Sequence, residues 1–283
     1  MKKIFKNGFI QRLIFLIICI FILSGILLKY NYYPSDEMLR INDKALKSKI
    51  KSFYLYTPDK EKLNAWYFKA ESGKPTVIFC HGDAGNISEF QELAKNLTDD
   101  GNGLLMLDYR GFGLSSGQPS EKGVYTDLET AVNYLKNKEH IDENKIILWG
   151  YSFGGAVVAE TALHYNFKGV ILHSTFTNAK EMRVFELERL FNIKNKPIWN
   201  FLIRSLITCL PLDQKYDTKS KISKIESPLL ITHDLHDRVV PVEMSYKLIK
   251  SNSKAQSFIS ETGSHGDFNR IQSRVLLFIK SLK

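Results

Sequence analysis

The sequence predicts an α/β fold in which a mostly parallel sheet carries helices on both faces. Short apolar segments alternate with amphipathic segments along most of the 283 residues, and this alternation is typical of parallel sheets with crossover helices. The second observation is the stretch 145–160, where an apolar run, a G-x-S-x-G element and a small-residue segment follow one another. This order indicates a buried strand, a sharp turn and a helix.

The predicted strands follow the apolar runs. Two of them, 53–57 and 63–69, flank Pro58-Asp59 and indicate an antiparallel hairpin at a sheet edge. Six more are predicted at 76–80, 103–108, 145–149, 169–173, 228–232 and 255–259. The amphipathic segments predict helices near 88–97, 124–137, 153–164, 242–251 and 267–282. Ser88 and Gln91 resemble a capping box at the start of the first helix.

The amino terminus carries an apolar run without a charged residue from Leu13 to Leu28. The run is somewhat short for a span of about 20 residues, but the polar residues that flank it can reach the membrane interface. We therefore predict an uncleaved membrane anchor over 1–29. A cleaved signal peptide, which would leave a secreted or periplasmic protein, and a buried soluble helix are the alternatives. Four basic residues without an acid precede the run and predict a cytoplasmic amino terminus, with the rest of the chain across the membrane; they are Lys2, Lys3, Lys6 and Arg12.

A polar connector over 30–51 follows, and the remaining residues, 52–283, form the predicted catalytic domain. An insertion at about 175–227 interrupts its alternating pattern. Phe185, Leu190 and Phe191 fall on one face of a helix there. The insertion is interpreted either as a cap over a pocket or as a helical excursion that buries only its own apolar face.

Charge and cysteine content exclude several classes of protein. The formal net charge is +9, and without the four amino-terminal cations the chain holds 35 basic against 30 acidic residues. This small excess is scattered among acids, which argues against nucleic-acid binding. Cys19, Cys80 and Cys209 lie far apart, so the sequence indicates neither a disulfide framework nor a metal cluster.

Ser152 is the candidate nucleophile. It is the serine of Gly150-Tyr151-Ser152-Phe153-Gly154, and a G-x-S-x-G element between a strand and a helix is typical of a nucleophile elbow. A second match to the motif is centred on Ser115. It does not follow an apolar strand that ends at the glycine, and Gln118-Pro119 cannot open a helix at the required place. We therefore interpret Ser115 and Ser116 as loop residues.

The candidate acid and base follow Ser152 in the chain. A serine hydroxyl needs a base to remove its proton, and the base needs an acid to orient it. Asp237 lies in the loop after the strand 228–232, where Asp234 competes for the role of the acid, and His265 lies on a glycine-flanked loop after the strand 255–259. The order Ser, Asp, His is that of α/β-hydrolases. Most other histidines are interpreted as structural or solvated, with His233 and His236 as loop neighbours of the acid.

The predicted oxyanion hole comes from two turns. The strand 76–80 runs into His81-Gly82-Asp83-Ala84, where small residues let backbone N–H groups point at a substrate oxygen. We expect the amides of Asp83 and Phe153 to be the donors. The alternative is a glycine-rich turn without a catalytic role.

Four separate blocks resemble the α/β-hydrolase superfamily, and within it the ABHD-type serine hydrolases that carry an N-terminal membrane anchor. The blocks are His81-Gly82-x-Ala84-Gly85-Asn86, the stretch from Asp108-Tyr-Arg-Gly to Pro119-x-Glu121, Gly150-Tyr-Ser-Phe-Gly154, and Asp237-x-x-Val240-Pro241. The resemblance covers about residues 50 to 283. It implies an eight-stranded sheet, a Ser152/Asp237/His265 triad and no cofactor, and it gives the block at 108–117 a structural role beside the site.

The resemblance also implies the activity: hydrolysis of carboxylic esters or thioesters of acyl or lipid-like substrates. Amide or peptide cleavage by the same triad and a non-catalytic binding module are the alternatives. Two positions depart from the family pattern. Asp83 stands where Asn is frequent, and Asp234 where Gly is frequent. Because a carboxylate near a developing oxyanion is unfavourable, we expect the Asp83 side chain to point away from the site.

Overall fold

The computed structural model describes residues 32–192, 196–209 and 214–282. Its main feature is an eight-stranded sheet. The strands are β1 (Lys51–Tyr56), β2 (Lys62–Phe68), β3 (Thr76–Cys80), β4 (Gly103–Leu107), β5 (Ile146–Tyr151), β6 (Gly169–His173), β7 (Leu229–Asp234) and β8 (Gln256–Ser260). They are ordered β8-β7-β6-β5-β3-β4-β2-β1 across the sheet.

One strand runs against the others. β2 pairs antiparallel with both β1 and β4, and every other neighbouring pair in the sheet is parallel. The predicted edge hairpin and the mostly parallel sheet are therefore confirmed. Because parallel strands share a direction, the residues that follow β3, β5, β6, β7 and β8 all lie along one edge of the sheet, the carboxyl edge.

Helices cover both faces of the sheet. They are α1 (Lys44–Lys49), α2 (Gln91–Asp99), α3 (Glu121–Asn137), α4 (Phe153–Thr161), α5 (Ala179–Leu190), α6 (Pro197–Cys209), α7 (Thr218–Ile222), α8 (Val242–Ser251) and α9 (Phe268–Ser281). The central strand β5 shows how the faces separate: Ile146 and Leu148 pack with α3, α4 and α8, whereas Ile147 and Trp149 pack with α1, α2 and α9. Both sets are fully buried, which explains the unbroken apolar run.

Two details differ from the sequence prediction. The helix α3 begins at Glu121, three residues early, because the Ser120 side chain caps it by accepting a hydrogen bond from Gly123 N at 3.2 Å. The predicted capping box at Ser88 is wrong. Ser88 lies inside a short 3₁₀ turn capped by Asn86, and its hydroxyl accepts a hydrogen bond from Leu39 N at 2.7 Å, a contact with a segment distant in sequence.

The predicted anchor over 1–29 lies outside the described residues. In the part of the chain that the structure describes, no helix is both long and apolar enough to span a bilayer. The connector is partly helical at α1, and its first described residues cross the carboxyl edge, where Tyr33–Pro34 pair with Ala84–Gly85.

The insertion leaves the sheet at the carboxyl edge after β6. Its described parts contain α5, α6 and α7. Asn200 Nδ2 of α6 donates a hydrogen bond to Glu188 Oε1 of α5 at 3.0 Å, and the same oxygen is 2.6 Å from Arg204 Nη2. These contacts join the end of α5 to the start of α6 as a helical hairpin.

Candidate active site

Ser152 occupies a strained turn between β5 and α4. Its backbone has φ 53° and ψ −117°, a conformation that costs a non-glycine residue free energy and is typical of functional sites. The glycines on either side of Ser152 are required because other backbone atoms approach them too closely for a side chain to fit. A methyl group at Gly154 would lie 2.1 Å from Cys80 O, and one at Gly150 would lie 2.4 Å from Gly154 O. Ser152 N donates a hydrogen bond to His173 O at 2.7 Å, which fixes the turn to β6.

Asp237 and His265 form a short hydrogen bond across two loops. Asp237 follows β7 and His265 follows β8, and His265 Nδ1 lies 2.6 Å from Asp237 Oδ2. The carboxylate side chain has no exposed surface, and that of the imidazole is 14% exposed. Because Nδ1 faces the carboxylate, it carries the ring proton, which leaves the Nε2 lone pair on the opposite side of the ring.

The Asp237 carboxylate accepts further hydrogen bonds. Val239 N and Val240 N donate to Oδ1 at 2.8 and 2.9 Å, and His233 Nε2 lies 3.2 Å from Oδ2. Burial alone would raise the pKa of Asp237, but hydrogen bonds from His233 and His265 outweigh it and hold the pKa well below its usual range. Asp237 is therefore an anion at neutral pH and can orient an imidazole.

His265 lies beside the residue that precedes the serine. Its ring packs against Tyr151 with centroids 5.1 Å apart, and the Tyr151 hydroxyl lies close to Gly266. Burial, followed by the charges of Asp237 and Asp83, raises the pKa of Tyr151, so this phenol stays neutral. The structure thus brings Asp237 and His265 into direct contact and places the His265 ring against Tyr151, the neighbour of Ser152 in the chain.

The turn after β3 borders Ser152. A methyl group at Gly82 would lie 3.7 Å from Ser152 Cβ, and Asp83 O accepts a hydrogen bond from Tyr33 N at 2.7 Å. Phe153 is the first residue of α4, and the amides of a first helical turn point out of the helix end with partial positive charge. Tyr216 of the insertion packs against Phe153 with ring centroids 5.0 Å apart. The insertion therefore passes close to the turn that carries Ser152.

Two residues that the sequence analysis did not assign to the site lie beside its acid and base. His233, interpreted there as a loop neighbour, is the fifth residue of β7 and is fully buried. His173 ends β6, and its buried ring lies between Tyr151, 5.2 Å away, and Phe268, 4.9 Å away. Burial lowers the pKa of His173 well below the usual value, so the ring is neutral.

Asp234, the competing acid, has a different environment. It is the last residue of β7 and is fully buried, with Oδ1 so close to Gly263 that a methyl group there would lie 1.9 Å from it. Burial raises the pKa of Asp234 to about 6. The carboxylate that contacts His265 is that of Asp237, and Asp234 faces the glycine-rich loop instead.

The block at 108–117 and its serines brace the sheet edge. Ser115 Oγ donates a hydrogen bond to Asp108 O and accepts one from Asn64 N, both at 2.8 Å. Arg110 Nη1 lies 2.7 Å from Asp59 Oδ2 in the β1–β2 turn, and its Nη2 lies 2.8 Å from Asp127 Oδ1 on α3. Ser115 is thus held in a loop contact. In the described residues, no group of three or more His, Cys, Asp or Glu side chains could hold a metal ion.

The fold and this arrangement define the class of protein. A strained serine after β5, a carboxylate after β7 and a histidine after β8, in that order along the chain, are typical of α/β-hydrolases. The family model for the α/β-hydrolase fold matches residues 75–197. The α/β-hydrolase domain-containing protein WAV2 of Arabidopsis thaliana is 30% identical over 76% of this chain and 71% of its own length. The chain belongs to the α/β-hydrolase superfamily.

Other similar proteins extend over more of the chain. YfhR of Salmonella typhi is 27% identical over 94% of this chain and 89% of its own length. A solved structure of the Pyrococcus furiosus esterase Pf2001 superimposes with a TM-score of 0.72 and covers 90% of this chain and 99% of that protein, at 19% identity. At this identity the structural likeness shows the fold alone.

Proposed function

We propose that the protein is a serine hydrolase that cleaves carboxylic ester or thioester bonds of acyl substrates. The observation that carries the proposal is the 2.6 Å contact between His265 Nδ1 and Asp237 Oδ2, beside a serine in an elbow conformation. The esterase activity in the name of the structurally similar Pf2001 supports the choice of an ester over other acyl bonds.

In the proposed mechanism the three side chains act in sequence. His265 Nε2 accepts the proton of Ser152 Oγ as the oxygen attacks the substrate carbonyl carbon, and Asp237 stabilises the imidazolium that forms. The amides of Phe153 and Asp83 donate to the oxyanion. His265 then protonates the leaving alcohol or thiol, which leaves an acyl group on Ser152. Water attacks this acyl-enzyme with His265 as the base, and the carboxylic acid is released.

The substrate proposal rests on the insertion. Tyr216 of the insertion packs against Phe153, the residue after Ser152, with ring centroids 5.0 Å apart, and this contact supports the interpretation of 175–227 as a cap beside the acyl site. Phe185 of α5 and Ile207 of α6 line a cavity that also contacts Pro241 and Met244, and this cavity is the proposed site of the acyl chain. Long-chain p-nitrophenyl esters should therefore be better substrates than the acetate, and a preference for acetate would contradict the acyl-chain assignment.

A fluorophosphonate probe tests the nucleophile. We expect the probe to label the wild-type protein and to leave Ser152→Ala unlabelled, because the probe reacts with an activated serine hydroxyl. Ser115→Ala is the matched control, since it removes the serine of the second G-x-S-x-G element, and its labelling should equal that of the wild type. Labelling that persists in Ser152→Ala would exclude Ser152 as the nucleophile. The absence of labelling in every variant would instead favour a non-catalytic binding module.

We further propose that residues 1–29 anchor the protein in a membrane, with the amino terminus cytoplasmic and the catalytic domain on the opposite side. The apolar run at 13–28 and the basic residues before it support this topology. An alkaline-phosphatase fusion after Tyr30 should be active in this orientation, and an inactive fusion would contradict it.

A further inference from the structure

The α5–α6 hairpin ends in exposed apolar side chains. Leu190 and Phe191 at the end of α5 are 70% and 53% exposed, and Ile198 and Phe201 at the start of α6 are 73% and 69% exposed. We call these four residues the hairpin tip. Single exposed apolar residues are common on soluble proteins, whereas several large ones at the turn between two helices indicate a surface that another molecule or phase covers.

The hairpin tip is one surface because the two helices are joined just behind it. Glu188 contacts both Asn200 and Arg204, so the last turn of α5 lies beside the first turns of α6. Ile198 and Phe201 are three residues apart and therefore share a helix face. These contacts hold all four apolar side chains at the same end of the hairpin.

The charges around the hairpin tip select its partner. Glu188 pairs with Arg204, and the stretch 189–203 contains three further basic residues, Arg189, Lys194 and Lys196, and no acidic residue. Apolar side chains flanked by basic ones match the surface of an anionic bilayer, which accepts the apolar groups below the headgroups and attracts the cations. A two-fold dimer through the same surface would bring the two basic sets together, and such like-charge contact is unfavourable.

The amino-terminal chain restricts where a bilayer can lie. Tyr32 packs against Phe153 with centroids 5.6 Å apart, and its hydroxyl donates a hydrogen bond to Gln214 at 2.6 Å, near the end of the insertion. The apolar run ends at Leu28, four residues before Tyr32 in the sequence, and four residues of chain reach at most about 14 Å. A bilayer that holds the proposed anchor is therefore expected on the side of the carboxyl edge, from which the hairpin also projects.

We propose that the hairpin tip docks on an anionic lipid bilayer and holds the carboxyl edge of the sheet toward the membrane. This docking adds a second membrane contact to the proposed anchor and does not depend on the proposed hydrolysis. Two weak membrane contacts on one molecule reinforce each other, because the first raises the effective concentration of the second.

Site-directed fluorescence on the full-length chain tests the docking. Cys19 and Cys209 are replaced by serine, and Cys80 is fully buried in β3, so an NBD label reacts only at an introduced cysteine. Phe201→Cys reports on the hairpin tip. Leu277→Cys is the matched control, because Leu277 is an apolar residue of α9, 59% exposed, outside the hairpin. Ile198→Cys is a second reporter that replaces Phe201→Cys if that variant fails to fold.

The labelled proteins are reconstituted in phosphatidylcholine vesicles with about one-third phosphatidylglycerol, an anionic lipid. We expect the label at 201 to emit at shorter wavelength and to be quenched several-fold more by brominated lipid than the label at 277. Equal quenching at the two positions would overturn the proposal. Quenching at 201 that is as strong in pure phosphatidylcholine vesicles as in those with phosphatidylglycerol would also overturn the proposal.

A label at 201 that is blue-shifted in the vesicles but is not quenched by brominated lipid is covered by protein instead of lipid. If this blue shift depends on the protein-to-lipid ratio, a second copy of the chain covers the hairpin tip. If it is independent of that ratio, another part of the same chain covers the tip. Either result would overturn docking on a bilayer.

Discussion

His233 Nε2 lies 3.2 Å from Asp237 Oδ2, the same oxygen that contacts His265 Nδ1 at 2.6 Å. His233 Nε2 also lies 2.9 Å from Val240 O, and its Nδ1 lies 2.6 Å from Ser245 Oγ. Because Nε2 faces two acceptors, it carries the ring proton, and Ser245 donates to Nδ1. His233 thus binds the carboxylate and the loop that holds it, from inside the core.

From this contact we expect His233 to position the proposed acid. His233→Phe keeps an aromatic ring and removes the donor to Asp237. A hydrogen bond to a charged group contributes about 1.5–3 kcal/mol, so the loss in kcat should be roughly 10- to 100-fold, with little change in KM. Steady-state kinetics on a soluble ester measure both constants.

Ser245→Ala is the control for His233. It removes the partner of Nδ1 and leaves the Nε2 donor to Asp237 in place, so its kcat should fall less than that of His233→Phe. If KM rises in His233→Phe while kcat stays constant, the residue shapes the substrate pocket and does not position the acid.

The two aspartates after β7 give a second prediction. Asp237→Asn should lower kcat by roughly 10⁴-fold, because loss of the triad acid leaves the imidazole in the wrong tautomer. Asp234→Asn is the matched control. Burial raises the pKa of Asp234 to about 6, and the carboxyl contacts the loop at Gly263 rather than His265. The kcat of Asp234→Asn should stay within a few-fold of the wild-type value. A loss of kcat equal to that of Asp237→Asn would indicate that Asp234 is the acid of the triad.

The pH dependence of stability gives a third prediction. The pKa of Asp237 is lowered in the folded protein, so its ionised form contributes stability above the pKa of an unfolded aspartate, about 3.9. That contribution is lost as the pH falls below this value and the carboxylate is protonated. The difference in free energy of unfolding between wild type and Asp237→Asn should therefore be larger at pH 7 than at about pH 2.5, which lies well below the unfolded pKa. Urea unfolding at the two pH values measures it, and a difference that grows toward acid pH would contradict the lowered pKa.

The glycines of the elbow give a fourth prediction. Gly154→Ala places a methyl group 2.1 Å from Cys80 O, and because backbone atoms cannot move aside, the free energy of unfolding should fall by about 3 kcal/mol or more. Gly82→Ala is the control, since its methyl group would lie 3.5 Å from the Tyr151 ring, an ordinary contact. It should change the free energy of unfolding by less than about 1 kcal/mol. Equal effects would contradict the close approach of α4 to β3.

Much of the sheet could be predicted because its strands are buried on both faces. β3 and β6 have the predicted bounds, 76–80 and 169–173, because each contains a short continuous apolar run between turn residues, which is a strong local signal. Ser152 could be separated from Ser115 for a related reason. Only Ser152 follows a strand directly and precedes a helix, and this context is readable within a few residues of the motif.

The role of His233 could not be predicted, because it depends on pairing with a distant strand. The apolar run predicted a strand that ends at Thr232, but β7 continues through Asp234, where His233 pairs with Ile259 and Asp234 with Ser260 of β8. Because β7 extends past Thr232, His233 is part of the strand and its side chain is buried in the core. The contact of Leu39 with Ser88 and the pairing of Tyr33 with Ala84 are also long-range. Local propensity carries no information on such contacts.

The brace at the sheet edge gives the last prediction. Arg110 joins Asp59 of the β1–β2 turn to Asp127 of α3, and the Asp127 side chain is fully buried. Removal of one partner from a buried ion pair leaves an uncompensated charge, which costs about 3–5 kcal/mol. Arg110→Gln should therefore lower the free energy of unfolding by several kcal/mol at pH 8.

The destabilisation of Arg110→Gln should be smaller at acid pH because Asp127 becomes protonated there. Burial raises the pKa of Asp127 to about 6 even beside Arg110, and without the guanidinium the pKa must rise further. Below that pKa the carboxyl is neutral, so the buried charge that destabilises Arg110→Gln disappears, and the difference from wild type should be smaller at pH 5 than at pH 8. Lys51→Gln removes an exposed ion pair with Glu139 and should change stability by less than about 1 kcal/mol at either pH. If Arg110→Gln behaves like Lys51→Gln, the block at 108–117 does not stabilise the edge through this ion pair.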